Sequence, residues 1–180
     1  MRSHAAAPNH QRVPSRHVRT RARGQALPEF ALVLVPLTLV LLGIIQLGLI
    51  FNAYVTVSNA AREGARTASI YVYNHSLTKA TNDTNRAAAA RDAVTKSLGL
   101  LPTTAPQYTP ANDVTITYSG TAGCPAAVVG VAPSDSRKGE YLCLTVQYHL
   151  DLLIPLIAEI MPKDGGGRMI IQAQSSMVIN

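Results

Sequence analysis

The stretch GQALPEFALVLVPLTLVLLGIIQLGLIF, residues 24–51, decides the fold of this 180-residue chain. One acid, Glu29, lies at the mouth of an apolar run, and no further charged residue follows until Arg62. The run from Phe30 to Phe51 has 22 residues. As a helix it would extend roughly 33 Å, enough to cross the hydrocarbon core of a bilayer. It is too long for the apolar part of an ordinary secretory signal peptide. We therefore expect a transmembrane helix that becomes gradually more polar and ends near Ile70.

Basic residues are concentrated ahead of this helix. Lys and Arg total 16, Asp and Glu total 10, and the net charge is +6. Residues 1–23 contain six arginines and no acid, so the rest of the chain is formally neutral. Arginines that stop at a membrane segment indicate an N-terminus held in the cytoplasm. The alternative is a basic tail that touches anionic lipid or nucleic acid; we expect no nucleic-acid partner.

An Ala-Arg repeat follows the apolar run, within residues 59–66. It is separated from the Gly-x-x-x-x-Glu-Phe pattern of residues 24–30 by one membrane helix, and this order is more specific than either motif alone. The residues concerned are Gly24, Glu29, Phe30, Ala61, Arg62, Ala65 and Arg66. Together they resemble the TadE-like family, the pseudopilins and minor pilins of tight-adherence pilus systems. The similarity is strongest over residues 23–68.

The resemblance implies proteolytic processing. A prepilin peptidase would cut after Gly24, which has no side chain to obstruct a tight cleavage site, and Gln25 would begin the mature chain. Glu29, followed by Phe30, would then neutralise the new α-amine of a neighbouring subunit where helices pack in low dielectric. The other interpretation is that Glu29 lies at the headgroup level, where a charge is tolerated.

The resemblance also implies partners and a location. The expected partners are prepilin peptidase, other pilin or pseudopilin subunits, the inner-membrane pilus assembly machinery and the lipid bilayer. The chain would cross the cell membrane once, with its N-terminus cytoplasmic and its C-terminal domain extracytoplasmic, and incorporation into an extracellular pilus stays open. The role would be structural rather than enzymatic.

Three regions are expected: a basic leader (residues 1–24), a pilin-like transmembrane helix (25–70) and an exported C-terminal domain (71–180). In that domain, a second helix is predicted over residues 85–98, with Asp83 or Thr84 as its N-cap and Gly99 closing it. Its expected packing face, recurring at helical spacing, consists of Ala87, Ala90, Val94, Leu98 and Leu101.

Period-two alternation predicts strands over residues 113–119, 140–150 and 168–179. In the second of these, Leu142, Leu144, Val146, Tyr148 and Leu150 share one face. A helix packed on such strands gives an α+β fold with a three- to four-stranded antiparallel sheet. Residues 102–110 are predicted to form a Thr/Pro linker.

Cys124 and Cys143 are the two cysteines of the chain. Both lie on the predicted exported side, so we expect a disulfide, which would stabilise the fold by roughly 3 kcal/mol. Two free thiols are the alternative. Two cysteines without paired histidines make a poor zinc site, and we predict no metal and no cofactor.

The apolar stretch from Leu150 to Pro162 is too short to span a bilayer. It either covers the sheet or presents an apolar surface to a partner pilin or the membrane. His149 and Asp151 share a face of the predicted strand, and the chain has several serines, so its composition is compatible with a hydrolytic triad. No catalytic motif accompanies them, and we expect no enzymatic activity.

Two alternative functions stay open. The chain could be an unprocessed single-pass membrane protein with an extracytoplasmic binding domain. It could also be a secreted protein cut by signal peptidase after Ala60, where the residues fit a small-x-small site.

Overall fold

The computed structural model describes residues 26–127, 136–154, 159 and 161–180. The described residues form three helices and a three-stranded antiparallel sheet, which confirms the predicted α+β architecture with its long N-terminal helix. The elements are α1 (Ala26–Ser69), α2 (Lys79–Ser97), α3 (Pro110–Asp113), β1 (Val114–Tyr118), β2 (Tyr141–Leu150) and β3 (Met169–Val178).

The chain divides into two compact units, residues 1–38 and 39–180. Within the first unit the described residues are the beginning of α1, which contains Pro36 inside the helix. The second unit contains the rest of α1 and all the other elements.

Helix α1 changes character along its length. From Leu27 to Phe51 most side chains are exposed, and the apolar ones include Leu32 at 76% and Phe51 at 68% exposure. Beyond Phe51 the helix buries a stripe of small side chains, spaced three or four residues apart as one helical face requires. The stripe consists of Ala53, Val57, Ala60, Ala61, Gly64, Ala65 and Ala68.

The small-residue stripe lets α1 come close to α2 and the sheet. A Cβ atom placed on Gly64 would lie 2.5 Å from Val94 Cγ2, 3.1 Å from Leu144 Cδ1 and 3.3 Å from the carbonyl oxygen of Ala90. A glycine inside a helix lowers helix propensity by ~1 kcal/mol relative to alanine. At Gly64 the close contact between helices explains why the smallest residue is present.

Helix α2 begins earlier than predicted. Its N-cap is Thr78, whose side-chain oxygen accepts a hydrogen bond from the Thr81 backbone N–H at 3.2 Å. The prediction of Asp83 or Thr84 as the cap is therefore wrong: both lie inside the helix, and Asp83 forms ion pairs instead. The end is as predicted, with Gly99 in the left-handed region at φ 62° just after the C-cap residue Leu98.

The packing face of α2 is partly polar. Ala90, Val94 and Leu98 are buried as predicted, whereas Ala87 is half-buried and the neighbouring Arg86 takes the buried position. Asn82 is also fully buried on this face. Its side-chain NH₂ donates to the carbonyl oxygens of Asn74, Leu77 and Thr78, and its Oδ1 accepts from the Asn74 backbone N–H, so its hydrogen-bonding groups are satisfied locally.

The sheet has the order β1-β2-β3, with β2 in the centre. Val114 is opposite Val146 in the first pair, and Val146 is opposite Ala173 in the second. The predicted strands match these three within two residues at each end. The β2 side chains on the inner face, Leu142, Leu144, Val146 and Tyr148, are buried in the core with the α1 stripe and α2, while Leu150 is half-buried.

The predicted linker over residues 102–110 ends in a short helix that the sequence did not predict. In α3, Pro110 occupies the first turn, where its missing N–H is not required. The Asp113 carboxylate accepts a hydrogen bond from the Thr109 backbone N–H at 2.5 Å, which fixes the entry into β1.

We predict that Gly64→Val lowers the free energy of unfolding by ~1–3 kcal/mol, because the added carbons must displace Val94 and Leu144. Urea denaturation of the full chain in mild detergent measures this difference. Gly48→Val is the matched control, since a Cβ at Gly48 in the same helix meets nothing within 4 Å. Equal effects of the two substitutions would contradict the role assigned to Gly64.

Candidate functional site

The predicted processing residues fall on both sides of the beginning of α1. Gly24 and Gln25 lie outside the described residues. Glu29 is in the first turn of the helix and Phe30 follows it, and both side chains are exposed, Phe30 to 63%. A carboxylate in the first turn is favourably placed in the helix dipole.

The apolar part of α1 is long and hydrophobic enough to cross a membrane. Its exposed side chains, among them Leu27, Leu32 and Val40, are covered by no other described element. An apolar surface of this extent is unfavourable in water and calls for lipid or other helices around it.

The Ala-Arg repeat divides its residues between two faces of α1. Ala61 and Ala65 are fully buried in the stripe, whereas Arg62 and Arg66 are exposed. Arg66 forms a two-bond ion pair with Glu63, from Nε to Oε2 at 3.0 Å and from Nη2 to Oε1 at 2.9 Å, as the i,i+3 spacing predicts. The alanines therefore serve packing, and the arginines are available at the surface.

The predicted disulfide between Cys124 and Cys143 is present, with the two Cα atoms 5.6 Å apart. Cys143 is buried in β2, and Cys124 lies in the loop after β1. The same loop accepts a hydrogen bond at the Gly123 carbonyl oxygen from Gln174 Nε2 at 2.8 Å. The disulfide thus holds this loop against the sheet.

A charged cluster that the sequence analysis missed ties α2 to the approach to β2. Asp83 accepts hydrogen bonds from Arg137 at 3.0–3.1 Å, and Arg137 also binds Glu140 at 3.0 Å. The Arg137 guanidinium lies 3.8 Å from the centre of the Tyr118 ring. Although burial opposes its charge, the bonds to Asp83 and Glu140 raise the pKa of Arg137 overall.

Arg86 completes this cluster from inside the core. Its side chain is 1% exposed, and it donates to Asp83 Oδ1 and to the carbonyl oxygen of Ser136, each at 3.2 Å. A buried arginine requires such partners because an unpaired charge is strongly unfavourable there. Its position four residues after Asn82 and four before Ala90 is the sequence signal that could have revealed it.

His149 lies between two carboxylates. Its Nδ1 is 2.6 Å from Asp164 Oδ2, and its Nε2 is 3.4 Å from Asp113 Oδ1. Asp151 instead pairs with Arg168 at 2.9 Å and accepts a hydrogen bond from Gln107. The conceivable triad built on His149 and Asp151 is therefore not assembled, since both ring nitrogens of His149 face other groups.

Residues 24–66 match the family model described as TadE-like protein. This segment is TadE-like. No curated protein and no solved structure matches the chain.

The TadE-like segment (residues 24–66) contains both motifs from which the resemblance was drawn, and the family prediction is confirmed. It runs from the predicted cleavage site through the exposed apolar part of α1 to the Ala-Arg repeat. The match supports a role associated with the tight-adherence pilus. The sheet and α2 lie beyond it and are characterised by their structure alone.

We predict that Asp164 makes stability depend on pH. Its Oδ1 accepts the backbone N–H groups of Arg168 and Gly166, each at 2.8 Å. The bond from Arg168, followed by those from His149 and Gly166, lowers the pKa of the Asp164 carboxyl. A lowered folded-state pKa contributes stability above the unfolded value, and that stability is lost as the pH falls through the folded value.

Urea denaturation of the wild type and of Asp164→Asn between neutral and acidic pH tests this. The difference in unfolding midpoint should be largest at neutral pH and should shrink below about pH 4, where the carboxyl becomes protonated first in the unfolded chain and then, at lower pH, in the folded one. A difference that is constant across this range would show that Asp164 acts without its charge.

Proposed function

We propose that this chain is a TadE-like pseudopilin or minor pilin that acts in assembly of a tight-adherence pilus after prepilin peptidase cuts behind Gly24. The observation that carries the proposal is the division of α1 within the TadE-like segment. One part exposes an apolar surface, and the next part is buried in a folded domain. Such a helix can move between lipid and a bundle of similar helices while the domain stays folded.

The role of Glu29 follows from its surroundings. It is the one acid between the start of the described chain and Glu63, and it lies beside exposed Phe30 at the beginning of the apolar surface. In a helix bundle an unpaired carboxylate at this place is unfavourable, and the amine of Gln25 in a neighbouring subunit is a suitable partner. The proposed partners are therefore prepilin peptidase, other pilin-like subunits and the membrane assembly machinery.

The orientation is proposed from charge and redox chemistry. The arginine-rich leader favours a cytoplasmic N-terminus. The Cys124–Cys143 disulfide suits an oxidising compartment on the other side of the membrane. The mechanism that we propose is packing of subunits, with no enzymatic activity.

The buried stripe argues against the alternative that the protein is secreted after signal peptidase cuts behind Ala60. That cut would remove Ala53, Val57 and Ala60 from the core, where each is no more than 1% exposed. A domain that lost these contacts would expose the facing side chains of α2 and the sheet, which disfavours this alternative. An unprocessed membrane anchor remains the competing proposal.

Intact-mass and N-terminal peptide analysis of the protein from its host tests processing. We expect a chain that begins at Gln25, with or without one added methyl group, and accumulation of the full-length chain in Gly24→Phe. A wild-type chain that retains its leader, with pili of normal number, would contradict the proposal in favour of a plain anchor.

Glu29→Ala tests the role of the carboxylate separately from cleavage. We expect surface pili to fall about tenfold, as expected for the loss of ~1.4 kcal/mol of pairing, while the amount of membrane-inserted protein stays the same. Glu63→Ala is the matched control, because it removes an exposed acid from the same helix outside the apolar run. Equal piliation in both variants would contradict a pairing role for Glu29.

A further inference from the structure

A polar residue inside the apolar run of α1 binds the loop that follows β2. Gln46 is 1% exposed although its neighbours Ile45 and Leu47 are 50% and 57% exposed. Its Oε1 accepts a hydrogen bond from the Leu153 backbone N–H at 2.9 Å. The C-terminal domain therefore reaches α1 within the apolar run itself.

The position of Gln46 gives the depth of this contact. It precedes Phe51, the end of the apolar run, by five residues, which corresponds to about 7.5 Å along a helix. A loop at that depth leaves backbone N–H groups without water, and such groups must find partners in the protein. The bond from Leu153 to Gln46 meets this requirement for one of them.

The side chains around this contact are apolar and exposed. Leu153 is 71% exposed. A cleft of about 580 Å³ lies between the end of the apolar run of α1 and the first residues of β3, and it is lined by Leu47, Ile50, Phe51, Tyr54 and Met169–Gln172. Leu100, in the turn after α2, is fully exposed at 104% and lines a second cleft with Asn52 and Thr56 of α1.

We propose that this end of the C-terminal domain docks on the bilayer, with Leu153, Leu100 and the cleft between α1 and β3 in contact with lipid acyl chains of the adjoining leaflet. The cleft between α1 and β3 contains Leu47, Ile50 and Phe51 of the apolar run, and the cleft that Leu100 lines meets α1 just beyond this run, at Asn52 and Thr56. Asp151 is 58% exposed and paired with Arg168 at 2.9 Å, so this charge pair would lie at the interface, where it is tolerated, while Leu153 reaches the acyl chains.

Docking on lipid would fix the orientation of the C-terminal domain relative to the membrane. An anchor held only by α1 leaves the helix and its packed domain free to rotate together about the helix axis, whereas three additional apolar contacts fix one face of the domain toward the membrane. The proposal depends on the membrane span and not on the pilus assignment, so the two can fail separately.

Because the chain contains no tryptophan, single tryptophans report on each position without background. The full-length variants Leu153→Trp, Leu41→Trp and Val72→Trp are reconstituted in phosphatidylcholine vesicles that carry bromine near the headgroup end of the acyl chains or near the chain terminus. Leu41 lies in the span, and Val72, 84% exposed, follows the opposite end of α1. All variants are checked for the Cys124–Cys143 disulfide and for unchanged helix content.

We expect the L153W variant to lose fluorescence to lipids brominated near the headgroup end, the L41W variant to be quenched in both vesicle types, and the V72W variant to be quenched in neither. An unquenched L153W beside a quenched L41W overturns the proposal, and a blue-shifted, unquenched spectrum would assign the surface to a protein partner instead. If the L41W variant is unquenched, α1 does not span the bilayer, and the docking proposal is wrong as well.

Gln46→Leu in the L153W background tests the hydrogen bond. Losing the acceptor for the Leu153 N–H should displace the loop, so that quenching by lipid decreases while quenching by aqueous acrylamide increases. Thr38→Val is the matched control, because Thr38 lies on the same helix, lines neither cleft, and donates its hydroxyl locally to the Leu34 carbonyl oxygen at 2.8 Å. Unchanged quenching in Gln46→Leu would show that Gln46 does not position the loop.

Discussion

The close packing of α1 against α2 at Gly64 is the constraint on which the rest of the C-terminal domain depends. Because the stripe from Ala53 to Ala68 has almost no side-chain volume, Val94 of α2 and Leu144 of β2 both reach the α1 backbone. Larger residues would separate these elements, and packed protein interiors tolerate such separation poorly. The second part of α1 is therefore a core element and not merely a spacer between membrane and domain.

One helix consequently serves two environments. Its first part, from Phe30 to Phe51, has an exposed apolar surface in which Thr38 is polar and exposed and Gln46 is polar and buried, and its second part is fixed in a core closed by the sheet. Around this core three tethers hold the connecting segments: the Cys124–Cys143 disulfide, the Asp83–Arg137 pair and the contact of His149 with Asp164. Each tether lies between α2, the sheet and its loops, whereas α1 is held by the stripe, by Gln46 and by the bond from the Asn180 N–H to the Ser69 carbonyl oxygen at 3.4 Å. This arrangement is suited to a subunit whose apolar helix exchanges neighbours.

The features predicted from sequence were those encoded by local periodicity. The uncharged run that begins at Phe30 predicted the long helix α1. Period-two alternation predicted the ends of the three strands to within two residues. The N-cap of α2 was missed because Thr78, Asp83 and Thr84 are all good capping residues. Which of them caps the helix depends on two tertiary contacts. Asn82 donates a hydrogen bond back to the turn before the helix, and Asp83 forms an ion pair with Arg137, which is 54 residues away in sequence.

The motifs of the candidate site were predictable from the sequence, whereas its long-range contacts were not. The Ala-Arg repeat and the apolar run were visible as motifs, and residues 24–66 match the TadE-like model. The partner of Gln46 was not visible, because Leu153 is 107 residues distant in sequence and contributes a backbone group with no side-chain signature. The buried place of Arg86 was indicated only by its helical spacing from Asn82 and Ala90, and a basic residue on a packing face is not expected until its acceptors are known.

Hydrogen–deuterium exchange of the full chain in lipid nanodiscs tests most directly the claim that the second part of α1 belongs to the core. The account predicts that amides of residues 53–68, which lie beyond the apolar run, exchange as slowly as those of the central strand β2, because both open only when the domain unfolds. Fast exchange over residues 53–68 with β2 still protected would contradict it. That result would make α1 a solvated stalk beside an independently folded domain.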